Sequence, residues 1–211
     1  MFNKIIDIFF PSFCIGCRKE GKYVCDRCSL FLSEARLSCP ECHKFNYNGK
    51  THNKCRKDSS LDGLVSFWDH EFLIKSLISK AKDDGCFDIL KKLVQESFQI
   101  MTNDKRYYPF LEFLISSDLI TYIPASKRER RKKGFDTNEV IAREVGRISN
   151  INVIPLISRN GEHFIYNNSP FSKIVLVDDC WFSESEIINC APSLKKMGVK
   201  RIYGYTLSKG S

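Results

Sequence analysis

The sequence predicts an α/β domain with a largely parallel sheet, preceded by a small cysteine-rich metal-binding module. Three observations carry this. Seven of the ten cysteines fall between Cys14 and Cys55. Beyond them the apolar pattern alternates between helical spacing and short β-rich runs. The run IVLVDD at 174–179 reads as a buried apolar strand ending in two acids. A chain of 211 residues has room for one ordinary core plus a unit that buries little by itself. The predicted division is a zinc-binding module over 1–60 and an α/β domain over 61–211.

The elements follow in order. Gly63 to Asp69 is expected as a strand, and His70 to Lys82 as a helix with Ile74, Leu77, Ile78 and Ala81 on one face. Cys86 to Met101 keeps Phe87, Leu90, Val94, Phe98 and Met101 at helical spacing. A short strand over Asp118 to Ile123 stops at Pro124. Helix Thr137 to Ile148, strand Lys173 to Val177, helix Ser185 to Met197 and strand Arg201 to Leu207 complete the alternation. Pro192 is expected to kink the last helix.

In the module, Cys14-x2-Cys17 and Cys25-x2-Cys28 supply four thiolates in two knuckles, the spacing of a tetrahedral structural zinc site. Cys39-x2-Cys42 and His52-x2-Cys55 supply a second set, with His43 as a competitor for His52. Paired CxxC spacing without a secretion signal favours metal over disulfides. A shell closed by four protein ligands leaves no position for water, so any zinc here, in one or two sites, is structural. Its binding, on the order of 10 kcal/mol, decides whether so small an apolar content folds.

The first ten residues, MFNKIIDIFF, are apolar, but Asp7 interrupts them and Pro11 ends them without a cleavage signal. No later run approaches the roughly 18 to 20 apolar residues of a membrane span. A cytoplasmic protein with no integral membrane segment is the expectation. The net charge of +8 suits a polyanionic partner, and KRERRKK at 127–133 packs six cations and one anion into seven residues. That run is either a solvated charged loop or a phosphate-backbone contact made by Lys127, Arg128, Arg130, Arg131, Lys132 and Lys133, with Phe135 and Tyr122 available for stacking. His70 and His163 are expected to be structural, Trp68 and Trp181 to be core or rim residues, and Cys86, Cys180 and Cys190 to be buried thiols.

With the knuckles, LISKAKDDG at 77–85, PASKRERRKKGFDTNE at 124–139 and IVLVDDCWFSESEI at 174–187 in view, the chain resembles the ComF family of competence proteins, which includes the GntX proteins. The resemblance covers most of the chain. Lys133, Gly134, Phe135 and Asp136 stand where that family has Arg-Gly-Phe-Asn, with Asn138 nearby. It implies a type I phosphoribosyltransferase-like, Rossmann-like domain behind an N-terminal zinc finger. The implied role is DNA uptake in natural transformation, with single-stranded DNA and other competence proteins as partners and phosphoribosyl pyrophosphate, with Mg2+ when it binds, as ligand.

In such enzymes an acidic pair meets the ribose hydroxyls and the next loop wraps the 5′-phosphate, so the corresponding site is Asp178, Asp179, Ser183 and Ser185. The two aspartates also suit capping of the following helix. Phe182, Ser183, Glu184, Ser185 and Glu186 replace the family's Thr-Thr-Gly-x-Thr, so the glycine is lost and two carboxylates approach the phosphate. Each costs about 3 kcal/mol at roughly 5 Å and an effective dielectric of about 20. The stretch from Arg159 to Lys173 is also shorter than the family's mobile loop. A binding protein with a vestigial phosphoribosyl pyrophosphate site is therefore expected. The alternatives are an active phosphoribosyltransferase and a scaffold that recruits a partner through residues 1–60.

Overall fold

A computed structural model describes residues 12–160, 163–166, 170–182 and 185–210. The module contributes one short helix, α1 (Asp26–Ser29), and isolated bridges. The rest is a mixed α/β fold: β1 (Gly63–Asp69), α2 (Phe72–Asp84), α3 (Phe87–Asn103), a 3-10 turn at Lys105–Tyr107, α4 (Tyr108–Ile115), β2 (Leu119–Tyr122), α5 (Lys127–Lys133), α6 (Thr137–Ser149), β3 (Ile157–Asn160), β4 (His163–Tyr166), β5 (Lys173–Trp181), α7 (Glu186–Lys196) and β6 (Arg201–Lys209). Four strands form one parallel sheet in the order β1-β6-β5-β2, and β3 and β4 form a separate antiparallel ribbon. No helix among the described residues is long and apolar enough to cross a membrane.

The two-residue period of the strands explains the layers. Val65, Phe67, Val175, Val177, Tyr203 and Tyr205 face one side, where they pack with residues of α2, α3, α4 and α6. Leu64, Ile174, Leu176 and Ile202 face the other, against Ile187, Ala191 and Leu194 of α7. The first side is aromatic at its centre, with Phe67 stacked on Tyr107 at 5.3 Å and tilted against Tyr205 at 5.2 Å. With both faces covered, the strands read as continuous apolar runs.

Two expectations are corrected. β5 continues to Trp181 because β6 runs beside it, pairing Asp178 with Thr206, Cys180 with Ser208 and Trp181 with Lys209. The aspartates therefore lie within the strand. Residues 127–133 are a helix and not a loop: Ser126 and Glu129 close a capping box, and Gly134 ends the helix in the left-handed conformation. Residues 104–115, which carried no expectation, hold α4, with its proline in the first turn, where a missing amide costs nothing. Pro192 sits inside α7 and removes the amide that the Ile188 carbonyl would accept from.

The module lies along the free edge of β1. The Ala35 amide donates to the Phe67 carbonyl at 2.9 Å, and the Asp69 and Leu64 amides donate to the carbonyls of Ser33 and Gly49 at 2.9 and 2.8 Å. Gly49 has φ of +69°, and a Cβ there would meet the Leu64 carbonyl oxygen at 2.4 Å, so only glycine fits this seam. The opposite edge, β2, is bonded by residues 152–154. Both sheet edges are thus covered by chain.

Candidate functional site

All eight cysteine and histidine ligands expected from the spacing come together in two groups: Cys14, Cys17, Cys25 and Cys28, and Cys39, Cys42, His52 and Cys55. In each group the ligand atoms lie within 4.8 Å of one another, and every cysteine is free of disulfides. Both donor sets can hold a metal ion. The surrounding backbone prepares them for thiolates, since the Cys25 amide donates to Cys14 Sγ and the His52 amide to Cys39 Sγ, each at 3.4 Å. Burial works against the Cys14 thiolate, yet amides of Cys25, Cys17 and Gly16 bring its pKa down to about 6.

His52 has a fixed tautomer. Its Nε2 lies 3.2 Å from the Phe45 carbonyl, an acceptor only, so Nε2 carries the proton and Nδ1, 3.3 Å from Cys42 Sγ, faces the thiolates. His43 takes no part: its ring stacks on Trp181 at 5.4 Å.

The second site is a cleft of about 400 Å³ at the C-terminal side of the sheet, where open α/β sheets place ligands. It gathers Lys82 of α2, Ser126 and Lys133 around α5, Asn138 of α6, Arg159 of β3, Asp178 and Asp179 of β5, and Glu186 of α7. Asp178 is only 8 % exposed. Its Oδ1 accepts from Asn138 Nδ2 at 2.8 Å and from the Asp179 amide at 3.0 Å. Burial, together with the Asp179 charge, pushes its pKa well above the usual carboxylate range. Asp179 forms an ion pair with Lys82. Burial disfavours the Lys82 charge, but the two aspartates hold its pKa above an ordinary lysine's. Neither aspartate caps α7, whose N-cap is Ser185 without a side-chain bond.

Ser185, the residue before Glu186, has a buried hydroxyl unpartnered among the described residues and does not line the cleft. Ser183 and Glu184 lie outside the described residues, as does the apolar segment 1–11. Glu186 is paired with Arg159, whose guanidinium also sits 4.7 Å from the Phe164 ring centroid. The expected repulsion from Glu186 is thereby offset by a cation, and the figure for a bare carboxylate overstates it. The stretch read as a shortened loop is in part the β3–β4 ribbon.

The cations of α5 divide in two. Arg130 donates to the buried Asp136 carboxylate at 3.0 Å, and Lys133 lines the cleft. Lys127, Arg128, Arg131 and Lys132 are exposed and make no ion pair among the described residues. The aromatic partners expected beside them are occupied elsewhere. Tyr122 is 5 % exposed in the core, and Phe135 packs edge-on against Phe87 at 4.5 Å. Trp68 and Trp181 are buried, as are Cys180 and Cys190, whereas Cys86 is half-buried. His70 is held by Ser208 Oγ at 2.9 Å, and the side chain of His163 lies outside the described residues.

Sequence reasoning missed Lys82, Asn138 and Arg159 as members of the cleft. Each meets its acid across a long stretch of chain, and no local pattern announces such a pair. No model of a known protein family matches this chain, and no curated protein matches it.

Proposed function

We propose that this protein is a ComF-like binding protein that supports DNA uptake in natural transformation. Single-stranded DNA is gripped by α5, zinc fills the two module sites as a structural ion, and a phosphoribosyltransferase-type domain serves as the platform. The observation that carries it is the set of four exposed, acid-free cations on α5 beside the strand-end cleft. Unpaired cations hold counterions that a phosphate backbone releases, and this drives binding. The cleft supports a vestigial role for the sugar-phosphate site, because its cations Lys82 and Arg159 and its acids Asp179 and Glu186 are already mutually paired.

The test is a salt titration of oligonucleotide binding. Replacing Lys127, Arg128, Arg131 and Lys132 together by alanine should shallow the slope of log K against log salt by about 3, at roughly 0.7 per phosphate contact on a single strand. An unchanged slope removes α5 from the interface and the proposal with it.

A second reading, an active phosphoribosyltransferase, is favoured by the Arg159–Glu186 pair, which removes part of the expected charge penalty. Calorimetric titration with phosphoribosyl pyrophosphate and Mg2+ separates the two. Micromolar binding brings the enzyme forward, and absence of heat while single-stranded DNA still binds leaves the platform.

A further inference from the structure

The second metal knuckle carries a surface that structural metal binding does not use. Between Arg36 and Lys57 there are six lysines and arginines against one acid, Glu41. All six cations are exposed, and none makes an ion pair among the described residues. Phe45 and Tyr47 are also exposed, at 51 % and 61 %.

The local backbone sets Phe45 in a short ribbon beside Arg36. Ser38 pairs with Phe45 across an antiparallel bridge, and the Cys39 and Asn46 amides donate to the Lys44 and Leu37 carbonyls, which makes a narrow ribbon of 37–39 against 44–46. In such a ribbon Phe45 shares the face of Ser38, since directly opposed residues point the same way, and Tyr47 follows in the adjoining turn. Leu37, Ser38 and Cys39 are all buried, and the exposed ring is that of Phe45 on the second segment. The contacts agree: the Arg36 guanidinium lies 4.9 Å from the Phe45 ring centroid, and Lys209 Nζ donates to the Arg36 carbonyl at 3.2 Å. The backbone at Phe45 is tied to the metal-ligand group, because its carbonyl accepts from Nε2 of His52.

We infer that this face of the second knuckle is a stacking platform for single-stranded nucleic acid, with bases resting on Phe45 and Tyr47 and the backbone beside Arg36 and Lys209. Exposed rings interleaved with acid-free cations suit unpaired bases, each of which offers an aromatic face, and suit an acidic peptide or a closed duplex less well. The inference builds on the proposed single-stranded ligand but stands on different residues from α5.

The experiment measures binding of a labelled oligothymidylate, and of a duplex of equal length, to the metal-loaded full chain across a salt series. Phe45→Ala and Tyr47→Ala should each weaken oligothymidylate binding about tenfold or more, with the salt slope unchanged, because a stacking ring releases no counterion. Tyr47→Trp should retain affinity. Phe72→Ala, at an exposed ring elsewhere, should change nothing, and unchanged metal content and melting temperature exclude misfolding as the cause. Wild-type affinity in both ring variants overturns the inference, even if the α5 variant still flattens the slope. An equal loss on the duplex, or full competition by polyglutamate, overturns it too and marks a charge surface without base stacking. Ring variants that fail while the α5 variant binds normally would instead leave the platform standing and remove α5.

Discussion

The module and the sheet domain reach order by opposite means, and the seam between them shows how each depends on the other. Residues 63–210 bury both faces of a parallel sheet, so their stability is distributed over many side chains. The module has one four-residue helix, and its framework is two groups of sulfur and imidazole ligands. Yet Cys14, Cys28 and Leu37 pack into the same core as Val65 and Phe67, and the module's backbone bonds β1 directly. The difference teaches that a point-like source of stability can hold an extended surface, provided that the surface is completed by a neighbour.

Chelation tests this most severely. Removing metal should withdraw stabilisation on the order of 10 kcal/mol from the module and leave the sheet folded. Hydrogen exchange should then speed up at the Leu64 and Asp69 amides, which bond the module, while the amides joining β5 to β6 stay protected. Simultaneous exchange everywhere would show a single cooperative unit and end the distinction.

A smaller effect is expected at the seam. Gly49→Ala meets both a positive φ and the Leu64 carbonyl, and should destabilise by roughly 2 kcal/mol, read as a lowered denaturant midpoint, without loss of metal. A neutral outcome would mean that the module rides on β1 without being fitted to it.

The smallest effect lies in the sheet's own cleft. Asp178 keeps its proton to higher pH in the folded chain than the usual carboxylate value of about 3.9. The folded state therefore binds more protons than the unfolded state above that value, and stability falls as pH rises through the window up to the folded pKa. Asp178→Asn retains the acceptor for Asn138 and should raise the melting temperature at neutral pH while flattening this dependence. A lowered melting temperature there would show that the charged form is the one the cleft requires.

Much of the module was legible in the sequence because a metal site is a matter of spacing, and eight ligands fall into four knuckles. The four strands of the parallel sheet and the long helices were legible from periodicity, whereas β3 and β4 carried no expectation. The extension of β5 through Asp178 to Trp181 was not, since it depends on β6 lying alongside. Six cations in seven residues masked α5, although Ser126 and Glu129 at the spacing of a capping box were visible. The cleft was only half visible. Asp178 and Asp179 stand out after an apolar run, whereas Lys82, Asn138 and Arg159 acquire meaning only through folding. Tyr122 was misassigned because alternation in a strand buried on both faces leaves no outward position.

The strip of module chain along β1 also has a consequence for association between molecules. Its bonds to Leu64 and Asp69 and from Ala35 to Phe67 occupy groups that an uncovered edge strand, GLVSFWD, would offer to any passing extended chain. If metal holds the module in place, its loss would therefore do more than unfold a small appendage. It would open a nearly uncharged, aromatic strand edge to other copies of the chain, so chelation should raise self-aggregation, read as light scattering, as well as unfold the module.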